Sequence, residues 1–282
     1  MAEATSDATN TAQVEYWNTA AGPTWAELQA PLDRQLAPLG RAAMDALRPA
    51  AGERILDIGC GAGATSLDLA RTVAPGGWVI GVDISRPLLA AARQRAAGVE
   101  GLSFVEADAQ SHTFAAESFD AVFSRFGVMF FADPTAAFAN IRRAVKPGGR
   151  LAFICWRTPA ENPIMTLPAA AAQPFLPPPP PPPPAGTPGP FAFADPDRVR
   201  AILADAGWTD ARVAPHDVKT GAGDLDAFLA LALRVGPLGG LLRENPDQRE
   251  VVIDAVRTTL KPHEGPQGIL LDSATWIVTA RA

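Results

Sequence analysis

A regular alternation of two patterns between residues 53 and 156 limits the fold of this chain more than any other feature. Short apolar or β-branched runs alternate there with longer segments whose apolar residues recur at helical spacing. This rhythm is typical of a parallel sheet flanked by helices. It predicts strands at 55–58, 78–83, 102–105, 119–124 and 151–156, helices at 64–73, 87–97 and 135–146, and Pro-Gly-Gly turns at 75–77 and 147–149.

The rhythm stops in residues 160–194. An alanine-rich segment is followed there by eight consecutive prolines at 177–184. Proline lacks a backbone N–H, and consecutive prolines favour an extended polyproline II rod. The run therefore predicts an exposed spacer, and a docking site for a partner's aromatic groove is the alternative.

Regular structure is predicted again from Asp195. This residue is a good N-cap before Pro196, and the helix that it begins is predicted to end at Gly207. The elements predicted beyond it are a sixth strand at 212–214, helices at 225–235 and 250–260 with a linker between them that opens with the glycine-rich segment 236–240, and a closing strand at 274–280. At the other end of the chain, residues 1–11 are small and polar and predict a frayed tail.

Composition limits the class of protein. Hydrophobic residues make up 48% of the 282 residues and charged residues 19%, as in proteins with a packed core. The net charge is -6 and no basic run occurs, which argues against a nucleic-acid partner. Two unpaired cysteines, no signal peptide and no apolar run of about 18 residues predict a cytoplasmic protein with no metal site and no integral membrane segment. The oligomeric state stays open.

The sharpest local motif is Asp57-Ile58-Gly59-Cys60-Gly61-Ala62-Gly63, between a predicted strand and a predicted helix. Glycines allow such a turn to approach a ligand closely, and the start of the helix offers free N–H groups. Asp83 ends the next predicted strand, where a carboxylate can accept both hydroxyls of a ribose. Together these features indicate a nucleoside ligand.

Two nucleoside cofactors fit this geometry. A nicotinamide dehydrogenase is the alternative, but its Gly-x-Gly-x-x-Gly turn holds a pyrophosphate, and Asp57 would place a negative charge beside it. S-adenosylmethionine carries an ammonium and a sulfonium and no phosphate, so an acidic turn matches it electrostatically. A protein that binds this cofactor without catalysis is a further alternative.

Four segments in order carry a resemblance to a known family: 55–63, 79–85, 106–109, and 119–133 leading into 145–151. The chain resembles the class I, seven-strand S-adenosylmethionine methyltransferases and is similar to the ubiquinone and menaquinone C-methyltransferase-like group. The resemblance implies a Rossmann-like α/β fold of seven mostly parallel strands with an antiparallel last strand. It also implies four parts: an N-terminal helical cover at 1–50, a cofactor-binding core at 51–156, an insertion at 157–194 that is a lid or spacer, and a C-terminal part at 195–282 with a helical lid insertion.

The resemblance also implies roles for single residues. Asp57 would engage the amino group of the methionine moiety directly or through water, Asp83 the ribose, and Asp108 the adenine amine. The other residues implied to contact the cofactor are Gly59, Cys60, Gly61 and Gly63 around the methionine moiety, Ile84 and Ala109 near the adenine, Ser124 beside the methyl group, and Tyr16 and Trp17, which either close over the cofactor or anchor the N-terminal segment. Cys60 is expected to be a small apolar filler.

The implied reaction is direct displacement of the methyl group, which leaves S-adenosylhomocysteine. Alignment and exclusion of water supply much of its rate, and a base is needed only when the acceptor must lose a proton. His112, His216 and Arg125 are the catalytic candidates. The expected partner is a small-molecule acceptor at oxygen, nitrogen or carbon, and the apolar run 126–131 either lines its pocket or packs in the core.

Overall fold

The computed structural model describes residues 3–178, 181 and 183–282. Its central feature is a seven-stranded sheet. Beside this sheet lies a hairpin of two short strands. In chain order the strands are β1 (Arg54–Ile58), β2 (Trp78–Asp83), β3 (Leu102–Glu106), β4 (Phe119–Arg125), β5 (Val145–Trp156), β6 (Thr209–Thr220), the hairpin strands β7 (Glu264–Gly265) and β8 (Gly268–Ile269), and β9 (Leu271–Arg281).

The strands of the large sheet lie in the order β3-β2-β1-β4-β5-β9-β6. Strands β1 to β5 pair in parallel, and β9 runs antiparallel between β5 and β6. The predicted sheet of seven mostly parallel strands with an antiparallel last strand is confirmed. Because the order reverses direction at β1 and β4, loops from both sides meet at the carboxyl ends of these two strands, where ligands bind in open α/β sheets.

Eleven α-helices surround the sheet in the part of the chain that the structure describes. They are α1 (Glu3–Thr19), α2 (Gly22–Glu27), α3 (Gln29–Leu47), α4 (Ala64–Val73), α5 (Arg86–Arg95), α6 (Pro134–Ala144), α7 (Pro163–Ala172), α8 (Pro196–Asp205), α9 (Leu225–Ala232), α10 (Gly236–Glu244) and α11 (Arg249–Leu260). Local capping explains several starts. The Asp195 carboxylate accepts a hydrogen bond from the Asp197 N–H at 2.9 Å, as its predicted role as N-cap of α8 requires.

The core is built on the central strands. Ile55, Phe123 and Phe153 are fully buried, one each on β1, β4 and β5. Central parallel strands are covered by helices on both faces, so their sequences are nearly continuous apolar runs. Leu39 of α3 and Ile141 of α6 are also fully buried and pack against this core.

Three predictions at helices and turns are wrong. From residue 3 onward the expected N-terminal tail is the first helix, α1. The segment 236–240, predicted to open a linker, is the start of α10, where Pro237 in the first turn and the buried Leu238 and Leu242 outweigh the low helical propensity of glycine. The expected turn at 147–149 lies inside β5, where the pairing with β4 shifts in register: Val145 pairs with Phe119, and the next pair is Arg150 with Ala121.

The segment 160–194 contains a helix that the sequence pattern did not predict. α7 carries proline both in its first turn and at Pro168, and it packs against α10 and α11. The polyproline prediction for 177–184 falls partly on residues 179, 180 and 182, which lie outside the described residues, and it stays a prediction.

No single helix in the described ranges is long and apolar enough to cross a membrane. The consecutive helices α9 and α10 reach that length and apolarity only as a pair bent by 58°.

Candidate active site

A cavity of about 630 Å³ opens at the carboxyl ends of the central strands. This volume lies within the range of about 300 to 1,000 Å³ that is typical of small-molecule sites. One half, the cofactor half, is lined by the turns that follow β1, β2 and β3. The other half, the acceptor half, is lined by the tip of β4, α7, residues 188–191, α9 and α10.

The glycine-rich turn after β1 forms one wall of the cofactor half. Gly59 has φ +65°, and a Cβ there would lie 2.6 Å from the Cα of Gly127 in the loop after β4. Gly61 has φ +54° but has nothing within 4 Å of its Cβ position. Glycine is therefore required at Gly59 by close backbone packing as well as by conformation, whereas Gly61 leaves free space at the cavity wall.

Cys60 lies in the same turn and lines the cavity, but it is only 3% exposed. Burial, together with the nearby carboxylates of Asp83 and Asp57, raises the pKa of this thiol well above its usual value. A thiol kept in its neutral form is a poor nucleophile. The environment agrees with the expectation that Cys60 is an apolar filler.

Asp83 ends β2 and lines the cavity beside this turn. Its Oδ2 accepts a hydrogen bond from the Gly61 N–H and its Oδ1 accepts one from the Ser85 N–H, each at 2.8 Å. Burial is the largest influence on this carboxyl group and raises its pKa, and the backbone hydrogen bonds act in the opposite direction. The carboxylate is therefore held in one orientation at the cavity wall.

Asp57 is fully buried at the end of β1 and does not line the cavity. Its Oδ2 accepts hydrogen bonds from Thr65 Oγ1 at 2.7 Å and Ser66 Oγ at 2.6 Å. Its Oδ1 is buried without a partner among the described residues. Burial raises the pKa of Asp57 to about 6, although the two hydroxyl groups lower it. An unpartnered carboxylate oxygen beneath the turn suits a cationic ligand reached through water better than a direct contact.

Asp108 follows β3 and also lines the cavity. Its Oδ1 accepts a hydrogen bond from the Gln110 N–H at 2.9 Å, and its Oδ2 accepts one from the side-chain amide of Asn10 on α1. Gln13, one helical turn further along α1, lines the cavity with its buried Oε1 unpartnered among the described residues. Asn10 and Gln13 are not among the residues predicted from the sequence, although their spacing of three places them on the same helix face as Trp17.

Helix α1 is fastened to the end of β2 by polar contacts. The Asn18 side chain donates to the Ile84 carbonyl and accepts from the Arg86 N–H, each at 2.9 Å. Ser85 Oγ donates to the Trp17 carbonyl at 2.7 Å. Tyr16 and Trp17 line the cavity as a result, and so do Ile84 and Ala109. Trp17 also packs edge-on against two other aromatic rings of the cavity wall, those of Trp25 and Phe130.

Besides Asp57, four candidate residues do not reach the cavity wall. Ser124 is fully buried and its Oγ accepts a hydrogen bond from the Gly127 N–H at 3.2 Å. Gly63 lies under the turn, where a Cβ would meet Ala92 and Phe104 at 3.0 Å. The two histidines lie elsewhere, His112 against Phe114 with a ring separation of 4.8 Å and His216 on β6 at the edge of the sheet.

Arg125, the last residue of β4, does reach the cavity. Its Nη2 lies 3.4 Å from Asp33 Oδ1 of α3, and the side chain is 14% exposed. The other oxygen of Asp33 lies 2.8 Å from Arg95, which also donates to the Ala62 carbonyl at 2.9 Å. Asp33 thus connects α3 both to the glycine-rich turn and to the tip of β4.

Phe126 begins the acceptor half with an unusual backbone. Its φ of +61° is in the left-handed region, which costs a residue with a Cβ about 1 to 2 kcal/mol. The Phe126 N–H donates to the Ile154 carbonyl at 3.1 Å, and the ring stacks on Trp156 at 4.3 Å and 10°. The remaining apolar wall of this half consists of Met129, Phe130, Phe131, Ile164, Met165, Pro168, Phe191, Phe228, Leu231, Val235 and Leu238.

The apolar run 126–131 therefore serves both of the expected purposes. Phe126, Phe130 and Phe131 line the cavity, whereas Val128 is fully buried in the core. Met129 does both.

Comparisons with known proteins agree with this geometry. Residues 56–153 match a family model described as a methyltransferase domain. The chain is 37% identical over 143 residues to aklanonic acid methyltransferase DauC of Streptomyces sp. (strain C5), a match that covers 50% of this chain and 60% of that protein. It is 34% identical over 179 residues to demethylmenaquinone methyltransferase of Thermus thermophilus, covering 60% of this chain and 80% of that protein. The chain thus spans less than two thirds of the first relative and most of the second.

Solved structures share the fold. The YcgJ protein of Bacillus subtilis superposes with a TM-score of 0.55 at 19% sequence identity, over 88% of this chain and 97% of that one. At this identity the likeness concerns the fold alone. The sheet order, the glycine-rich turn and the sequence relatives lead to one assignment. The chain belongs to the class I S-adenosylmethionine-dependent methyltransferases.

Proposed function

We propose that this protein transfers the methyl group of S-adenosylmethionine to a small, largely apolar acceptor. The observation that carries the proposal is the shared cavity. A glycine-rich turn and the carboxylates of Asp83 and Asp108 line one half, and aromatic and aliphatic side chains line the other. The names of the relatives, which refer to aklanonic acid and demethylmenaquinone, support small molecules as acceptors.

The negative charge of the cofactor half and the free space beside Gly61 fit this cofactor. Asp83 would receive the ribose hydroxyls and Asp108 the adenine amine, while Gly59, Cys60 and Gly61 would line the methionine moiety. Asp57 would act on the ammonium group from beneath the turn, through its unpartnered oxygen. Ile84 and Ala109 would flank the adenine ring, and Gln13 offers it a further polar contact.

The chemistry divides between cofactor and protein. When bound, the cofactor supplies a methyl group already activated by the positive sulfur. The residues of the chain orient the acceptor, exclude water and hold the reacting atoms in line. The apolar wall that begins at Phe126 would provide this dry surface.

We further propose that the chain divides into a cover, a core and a lid. Helices in 1–50 would close over the cofactor, with Tyr16 and Trp17 at the cavity wall, and 51–156 would form the cofactor-binding core. The lid would consist of 157–194 together with α9 to α11 from 195–282. The acceptor half is lined by α7, residues 188–191, α9 and α10, which supports this division.

Calorimetry with S-adenosylhomocysteine and with NAD tests the proposal. We expect the first to bind and the second not to, because Asp57 and Asp83 would repel a pyrophosphate. Turnover of S-adenosylmethionine with a panel of small acceptors then separates an enzyme from a protein that only binds the cofactor. Tight binding of NAD with no affinity for S-adenosylhomocysteine would favour a dehydrogenase.

A substitution at Asp83 sharpens the test. Asp83→Ala should weaken binding of S-adenosylhomocysteine by about 1 to 3 kcal/mol, the scale of hydrogen bonds to a charged group. Asp247→Ala is the matched control, since this acid is exposed in the short helical turn before α11. Equal affinity in both variants would rule out the ribose-binding role.

A further inference from the structure

The charges of the acceptor half indicate the chemical form in which the acceptor enters. Resting on the proposed function, we propose that the acceptor is an apolar acid that binds as its anion, with the ionised oxygen on Arg125. That oxygen is then the methylated atom, and the enzyme needs no general base.

Arg125 is the one cation among the described residues that line the cavity. It lies at the tip of β4, between the glycine-rich turn and the aromatic wall that begins at Phe126. Its partner Asp33 is shared with Arg95, which is the closer of the two at 2.8 Å against 3.4 Å. One carboxylate therefore serves two guanidinium groups. A second carboxylate, that of Asp57, also acts on Arg125, but it is buried beneath the glycine-rich turn and does not line the cavity. At the cavity wall itself, Arg125 is the group that an anionic oxygen would contact.

The cavity offers no free base to remove a proton. No histidine, lysine or glutamate is among its described lining residues. All three carboxylates of the wall already accept hydrogen bonds or ion pairs: Asp33 from two arginines, Asp83 from two backbone N–H groups, and Asp108 from Gln110 and Asn10. An acceptor that must lose a proton during the reaction would meet only carboxylates whose existing hydrogen bonds make them weaker bases.

An anionic acceptor makes the reaction balance without a proton transfer. A lone pair of the ionised oxygen forms the new bond to the methyl carbon. The bond between that carbon and the sulfonium sulfur breaks, and its electron pair stays on sulfur. An anion and a cation thereby become a neutral methyl ester and a neutral thioether. Arg125 positions the oxygen and loses its ionic partner when the ester forms, which favours release of the product.

Calorimetry on the protein saturated with S-adenosylhomocysteine tests the binding step. The probes are 2-naphthoic acid and decanoic acid, each compared with its amide, which has nearly the same shape and no charge. We expect at least one acid to bind, and to bind at least about tenfold more tightly than its amide, as one charge-assisted contact allows. Arg125→Gln should abolish this preference, and Arg125→Lys should retain part of it.

Arg41→Gln is the matched control. Arg41 lines a smaller cavity that shares Arg125 and Asp33 with the large one, but Arg41 itself does not line the large cavity. It should retain the preference for the acid. Affinity for S-adenosylhomocysteine should be unchanged in the Arg41 variant. The Arg125 variants should unfold in the same cooperative transition as the wild type, measured by circular dichroism, which shows that they are folded.

Product analysis tests the chemical step. Mass spectrometry should find the methyl ester of the bound acid, at a rate that is flat between about pH 7 and 9, where carboxylic acids stay ionised. The inference is overturned if neither acid binds, if the amides bind as tightly as the acids, or if Arg125→Gln leaves the preference intact. Failure of wild-type protein to bind S-adenosylhomocysteine would instead overturn the proposed function.

Discussion

The two halves of the cavity are built in different ways. The cofactor half is made of backbone turns and carboxylates at the ends of three neighbouring strands, all within one continuous stretch of 54–109, with α1 added from the N-terminus. The acceptor half is made of side chains from five separate segments, most of which follow β5 in the chain. A turn that requires glycine tolerates few substitutions, whereas the shape of a wall built from side chains changes with each substitution.

The halves also differ in charge. All three carboxylates near the glycine-rich turn are buried or held by backbone N–H groups, and one of them, Asp57, has an unpartnered oxygen. The acceptor half has one cation at its border and an otherwise apolar wall. Under the proposed function, the first half would select its ligand by positive charge, and the second would select it by apolar surface together with one anionic oxygen.

The largest expected effect tests whether close backbone packing makes glycine necessary at Gly59 in the cofactor half. Gly59→Ala should lower the free energy of unfolding by about 2 to 5 kcal/mol, the sum of a left-handed φ for a residue with a Cβ and overpacking against Gly127. Gly61→Ala is the control, because its Cβ position is open and only the conformational cost of about 1 to 2 kcal/mol remains. Chemical denaturation of both variants measures the difference. Equal losses would mean that the contact between the two turns is not tight.

The next effect tests the charge state of Asp57 in the cofactor half, through the dependence of stability on pH. The pKa of Asp57 is raised to about 6 by burial, so between about pH 4 and 6 the folded protein binds more protons at this group than the unfolded chain does. The stabilising contribution of Asp57 is therefore present at low pH and is lost as the pH rises through about 6. The free energy of unfolding should fall by about 1 to 3 kcal/mol over this window.

Asp57→Asn should remove this dependence, since an amide does not titrate in that range. Thermal unfolding of wild type and variant across this pH window measures it. Parallel curves for the two proteins would contradict the raised pKa. Affinity of the wild type for S-adenosylhomocysteine should also fall below about pH 6, where the carboxyl group becomes neutral and attracts the ammonium group less.

The smallest effect concerns the acceptor half. Phe126→Gly and Phe126→Ala both lose the stack on Trp156 and nearly all of the apolar side chain, but only glycine relieves the left-handed backbone. The Gly variant should therefore be more stable than the Ala variant by about 1 kcal/mol, after allowing for the greater chain entropy of glycine. Denaturant titration compares the two. Both should bind S-adenosylhomocysteine as the wild type does, and a loss of that affinity would contradict the separation of the two halves.

The sequence predicted one half of the molecule far better than the other. Strand β2 and helix α4 match their predicted bounds, because continuous apolar runs and a glycine-rich turn mark them locally. The paired turn of Gly59 and Gly127 was not foreseen, since it joins two segments far apart in the chain. Carboxylates such as Asp83 could be named as candidates because they end predicted strands.

The acceptor half escaped prediction for a physical reason. Helix α7 contains an internal proline and α10 contains glycines, so local propensity opposes both. Packing stabilises them instead, that of α7 against α10 and α11 and that of α10 against α7 and α9. The pairing of Phe126 with Trp156 depends on two strands meeting in the sheet. Asn10 and Gln13 were missed because a polar, weakly amphipathic N-terminal helix resembles a tail.

The positions of the acceptor-half segments in the chain have a practical consequence. Helices α7, α9 and α10 and the 188–191 segment all belong to connections between the last strands of the sheet, β5, β6 and β9. No parallel connection from β1 to β4 passes through them. Grafting these connections from one relative to another would accordingly exchange most of the apolar acceptor wall, while Arg125, the 126–131 run and the machinery for the methyl donor stay as they are, so that this scaffold lends itself to modular engineering.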